Sequence, residues 1–152
     1  GGEQRPSGTA HLTVRVPDVR KDRLVVSGVV VSVVDGRAPG GSEAVRDVIP
    51  VTPTTRREFT MSELASTWMT LQQPARAADV TLTTEVLDET GGVVWSTRRT
   101  LEAELFAGGA TREYREDLPL KRLGPGRFVL QITATAGTDR IQRDVAIVVT
   151  ER

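Results

Sequence analysis

The chain has no cysteine and one histidine, His11. The first absence excludes disulfides and thiolate chemistry but does not fix a compartment, because many exported bacterial domains also lack cysteine. The second leaves no base for a Ser–His–Asp or Cys–His site other than His11, and a zinc site normally takes more than one His or Cys. His11 falls on the outward parity of an N-terminal strand, which makes it a solvated surface residue. Aromatic residues are scarce, at 4%. Lysine is nearly missing: of 20 basic residues only Lys21 and Lys121 are Lys, a bias that fits a GC-rich genome better than a phosphate-binding surface. The 20 acidic residues cancel the basic ones, so no global field draws in nucleic acid or an anionic membrane. No apolar run approaches the roughly 20 residues that span a bilayer. No signal peptide is visible and the chain begins Gly-Gly-Glu, so it is expected to be a piece of a larger protein whose targeting segment lies elsewhere.

What is present is β-strand pattern. Gly124-Pro125-Gly126 is a turn, after which Phe128, Leu130, Ile132 and Ala134 alternate with polar residues. Gly137-Thr138-Asp139 turns the chain again, and Val145, Ile147 and Val149 point inward, with Arg143 sharing their parity. This is a closing antiparallel hairpin with one wet face. Thr9 to Val16 reads as a first strand. Leu24 to Val34 is a β-branched run suited to a central strand covered on both faces, where Gly28 marks a bulge or a close backbone approach. Val48 to Thr55, with two prolines, is an irregular edge segment. Thr60-Met-Ser-Glu63 has the form of a capping box for one helical turn, with a strand expected by Ser66. Val80 to Val86 and Val93 to Thr100 flank Asp88–Gly92 as a second hairpin, and Thr111 to Leu118 is a polar strand anchored by Tyr114 and Leu118. The expected fold is all-β, an immunoglobulin/fibronectin III-like antiparallel β-sandwich of about seven to nine strands. Residues 1–8 are a linker or tag remnant, and 9–152 a single domain.

Candidate sites are few. Asp88-Glu89 and Glu116-Asp117 are adjacent pairs whose side chains diverge in extended chain, so neither pair suits glycoside hydrolysis. Asp35, Glu43 and Asp47 lie in a turn-rich loop without calcium-loop spacing. No cofactor or metal is expected. Trp68, on the parity of Leu64, is expected to anchor the core, and Trp95 to be core as well; exposed rings would instead make a sugar-stacking platform. In Arg98-Arg99 one side chain leans inward. Val29-Val30-Val31 is either a buried central strand or an edge open to strand addition. The irregular segments 35–47 and 53–59 are where a rigid scaffold would place recognition. Asp35, Arg37, Arg56 and Arg57 are therefore candidates for docking a carboxylate-bearing partner, a neighbouring domain above all, against the plain alternative of local ion pairs.

Three stretches carry a resemblance. They are Val16-Pro17-Asp18-Val19 before Leu24-x-Val26-Ser27-Gly28-Val29, then Pro53-Thr-Thr-Arg-Arg-Glu-Phe59, then Leu118-Pro-Leu-x-x-Leu-Gly-Pro-Gly-Arg-Phe128. In this order they resemble the C-terminal β-sandwich of von Willebrand factor A-related, acidobacterial-type exported proteins, and are similar to the end domain of proteins with a Gly-Trp-x-Thr-Asp motif. The resemblance implies a sandwich without assigned catalytic residues, following a von Willebrand A domain in an exported polypeptide. The Asp-x-Ser-x-Ser motif of that A domain is absent, so its metal chemistry does not transfer. Phe128 stands where the family's turn has tyrosine, so no corner hydroxyl bond forms there. The expectation is a non-catalytic, extracytoplasmic interaction or spacer module, the rival being a carbohydrate-binding or accessory domain of a secreted enzyme.

Overall fold

The computed structural model describes residues 24–33, 53–74 and 78–152. In chain order the strands are β1 (Val25–Val26), β2 (Val30–Val33), β3 (Pro53–Thr54), β4 (Glu58–Thr60), β5 (Ala65–Gln72), β6 (Val80–Leu87), β7 (Val93–Leu101), β8 (Arg112–Asp117), β9 (Gly126–Ala136) and β10 (Asp139–Thr150). A 3-10 segment, Ala103–Gly109, precedes β8, and a one-turn helix α1, Leu120–Leu123, follows it. In the first sheet β5 carries β1 and β2 end to end along one side and β8 along the other, with β3 outside β2. The second sheet runs β4-β10-β9-β6-β7, antiparallel except for the parallel β4–β10 pair. The two make an all-β sandwich.

Both hairpins form where the turn chemistry allows. The Asp88 carboxylate Oδ1 accepts the amide hydrogens of Thr90 and Gly92 at 2.9 Å each, and Gly91 takes a φ of 82° that an L side chain resists. In the closing hairpin Asp139 pairs with Ala136, which leaves Gly137 and Thr138 as a two-residue loop. The inward residues then follow from parity. Val80, Leu82, Thr84, Val86 and Leu130 have no exposed surface, and Phe128, Ile132, Ala134, Ile147 and Val149 are buried with them. Across the sandwich they meet Val26, Val31, Met69, Leu71 and Tyr114.

Two expectations need correction. The run from Leu24 is not one strand: it breaks at Ser27–Val29, between β1 and β2. A Cβ on Gly28 would meet nothing within 4 Å, so close approach is not what the glycine serves. β2 itself is internal, flanked by β3 and β5. Trp68 is not a core anchor. On β5 the inward set is Ala65, Thr67, Met69 and Leu71, paired with the inward residues Val33, Val31, Tyr114 and Val26. Trp68 lies on the outer face with Ser66, and Leu64 is 63% exposed. The reason is that β5 is buried on both faces: Ser66 and Trp68 are 1% and 7% exposed, so hydrophobicity does not separate its two sides.

The break frees backbone groups that must find partners. The Ser27 amide still donates to Thr70 O (2.9 Å), while the Thr70 amide donates to Ser27 Oγ (2.9 Å), a side chain standing in for a ladder carbonyl. The carbonyls of Val26 and Ser27 accept from Nη2 (2.9 Å) and Nε (3.2 Å) of Arg143. Arg143 projects from β10 opposite Ile132, on the inner face of the other sheet. Replacing Arg143 with alanine leaves both carbonyls without these donors and should cost about 1–3 kcal/mol, against less than about 0.5 kcal/mol for exposed Arg140→Ala. Urea unfolding of the two variants checks this, and equal losses would contradict it.

Candidate functional site

One end of the sandwich is shaped by two turns. After β4 the chain closes a turn, with the Glu63 amide donating to Thr60 O (3.1 Å) and the Met61 amide to Thr150 O at the end of β10 (3.0 Å). The Thr60–Glu63 motif forms half of its capping box. The Thr60 amide donates to Glu63 Oε2 (2.7 Å), while Thr60 Oγ1 turns to Ser62 Oγ (3.0 Å). No helix follows, because β5 begins at Ala65. Ala65 is 3% exposed and points inward, so Leu64 beside it must point away. The second turn starts where the Leu118 amide donates to Ala65 O (2.8 Å) and continues into α1. Leu120, 1% exposed, fixes α1 to the core, and Lys121 and Arg122 are left on the surface. Gly124, at a φ of 72°, ends the helix.

Between these turns lies an open groove of about 640 Å³, its walls including Met61, Leu64, Leu118, Pro119, Lys121 and Arg122. Its walls are mainly aliphatic, and Lys121, Arg122 and Glu151 bring charge to its rim. Glu63 also borders it, held by Arg56: Nη1 donates to Oε1 (2.7 Å) and Nη2 to Oε2 (3.1 Å), a bidentate pair. The Arg56 guanidinium lies 5.5 Å from the Phe59 ring centroid. Hydrogen bonding to Arg56 holds the Glu63 carboxyl below the usual carboxylate range and raises Arg56 in turn.

Of the docking candidates, Arg56 thus reaches the groove through Glu63. Arg57 is exposed and donates to the carbonyls of Arg56 (2.7 Å) and Thr54 (3.3 Å). Asp35 and Arg37 lie outside the described residues, as do the loop 35–47, the calcium candidates Glu43 and Asp47, His11 and residues 1–8. Among the described residues no group of three or more His, Asp or Glu is placed to hold a metal ion. Trp68 is buried and Trp95 half-buried against the core. The groove itself was hidden in the sequence. Its signal was Leu64, an aliphatic residue directly before a strand whose other parity supplies Met69 and Leu71.

A second polar feature crosses the inside of the sandwich. Thr84 Oγ1 on β6 lies 3.0 Å from Tyr114 Oη on β8, which donates to Glu116 Oε2 (2.8 Å), and Arg99 Nε on β7 stands 3.3 Å from the same oxygen. Arg99 is the inward-leaning member of its pair, opposite Leu82, and its partner is Glu116. Glu116 and Asp117 diverge as adjacent strand residues must, the first buried and the second exposed. Burial pushes the Tyr114 hydroxyl up to about 12.

No protein-family model matches the sequence, and no curated protein matches it. Among solved structures it is similar in fold to the C-terminal domain of wzt, with a TM-score of 0.54 and 14% identity over 87% of this chain and 80% of that one. It is also similar to part of a family 123 glycoside hydrolase from Clostridium perfringens, with a TM-score of 0.50 and 11% identity over 83% of this chain and 28% of the hydrolase. At these identities the likeness is one of fold.

Tyr114 is the only tyrosine, so tyrosinate absorbance reports it alone. An unfolded tyrosine ionises near pH ~10. Because the folded value is raised to about 12, the Tyr114 contribution to stability is fully present below pH ~10 and is lost as pH rises through the folded value. Absorbance should therefore lag in the folded chain, and the alkaline loss of stability should shrink in Tyr114→Phe. A folded-chain titration near pH ~10 would contradict the buried placement.

Proposed function

We propose that this chain is a non-catalytic interaction and spacer module of a larger exported bacterial polypeptide, docking a neighbouring domain or protein partner at its end groove. The observation that carries the reading is Leu64: it is 63% exposed, the most exposed large hydrophobic side chain among the described residues, and it borders an apolar groove. Of the charged side chains around it, Glu63 is bound to Arg56, and Lys121 and Arg122 outnumber the remaining Glu151, which favours an apolar side chain next to a carboxylate. The module reading is supported by the fold's occurrence in a domain named as C-terminal and in 28% of a longer hydrolase chain. The rival role, a carbohydrate-binding accessory domain, has against it that Trp68 is 7% exposed and Trp95 half-buried, so neither presents a fully open ring.

The test supplies the adjoining domain of the parent polypeptide in trans and measures association with this chain. Leu64→Asp, and separately the pair Lys121→Glu and Arg122→Glu, should each weaken it by about tenfold or more without lowering the melting temperature. Association unchanged in both variants would move the interface elsewhere.

A further inference from the structure

The outer face of the second sheet carries an apolar row that the end groove does not use. In register across four strands stand Val93 on β7, Leu87 on β6, Val129 on β9 and Ala146 on β10. A bulge between Val86 and Leu87 adds Val94 beside Val93. Of the five large hydrophobic side chains exposed among the described residues, three belong to this row: Val93 at 53%, Val94 at 44% and Val129 at 38%. The rest of the face is what a wet sheet face should be. The next row is Ser96, Glu85, Gln131 and Asp144, and beyond it stand Arg98, Thr83, Thr133 and Gln142. A single exposed valine needs no explanation, but a full row across the sheet on an otherwise polar face does.

The charges around the row identify its occupant. Glu85 and Asp144 border it on one side. On the other, the β6–β7 hairpin tip brings Asp88 and Glu89 beside a hollow of about 390 Å³, with Arg127 the one cation among its walls. A second copy laid row upon row would set these acidic borders against each other, which disfavours self-association. We infer that this face binds a partner segment of the opposite pattern, aliphatic side chains flanked by lysine or arginine. Three inter-strand spacings make the row roughly 14 Å wide, which a segment of about four extended residues covers. This surface is separate from the end groove and stands whether or not that groove docks a neighbour.

The experiment titrates the isotope-labelled chain with a peptide of alternating leucine and lysine, and with its counterpart in which glutamate replaces lysine. The lysine peptide should shift the amides of Leu87, Val93, Val129 and Ala146, and the glutamate peptide should leave them in place. Val129→Ser should weaken the lysine peptide by about tenfold at unchanged melting temperature. The pair Glu85→Lys and Asp144→Lys should reverse the preference. No shift on this face with the lysine peptide, or an equal response to both peptides, would overturn the inference. So would a dimer in sedimentation that Val129→Ser dissolves, because the row would then belong to a second copy.

Discussion

The sandwich depends on how one interrupted strand is satisfied. Between β1 and β2 the ladder fails at Ser27–Val29, and partly buried carbonyls left without donors are costly. Arg143 meets that cost from the opposite sheet by donating to Val26 O and Ser27 O. Its guanidinium presents donors in a fixed fork, so it serves two neighbouring carbonyls at once, which a lysine ammonium does with less geometric definition. β10 thereby acts on both sheets. Near its start it holds the broken strand, and at its end Thr150 O accepts the Met61 amide and fixes the turn that carries Leu64. The end groove is thus a consequence of the same strand that closes the fold.

The inside of the molecule is occupied by structure. The chain of contacts from Thr84 through Tyr114 and Glu116 to Arg99 joins the two sheets with polar groups that partner one another. Arg56 and Glu63 are bound to each other. Among the described residues, two open surfaces are apolar and bordered by charge: the end groove, with Lys121, Arg122 and Glu151, and the outer face of the second sheet, with Glu85 and Asp144.

The fold was legible wherever one face of a strand is wet. Val80, Leu82, Thr84 and Val86 alternate cleanly with polar residues and are all fully buried, and the closing hairpin follows its sequence period residue by residue. Legibility failed on β5, where both faces are covered. The size of Trp68 drew the inward assignment, although Ser66 and Thr70 share its side while Met69 and Leu71 share the other. The same misplaced parity hid Leu64, and with it the groove. Arg56 and Arg57 were legible as residues of the right segment, but no local pattern shows that Glu63 folds back onto Arg56. Arg143 was visible as a charge on an inward parity. Its partners, carbonyls more than 100 residues earlier in the chain, are a product of tertiary structure alone.

The proposed docking of an adjoining domain over the end groove is open to one direct measurement. Amide hydrogen exchange compares this chain alone with the same chain joined to its adjoining domain. Slower exchange is expected on joining at Met61–Leu64 and Leu120–Arg122, with the β6–β7 hairpin tip unchanged. Identical exchange at both turns in the two forms would contradict it.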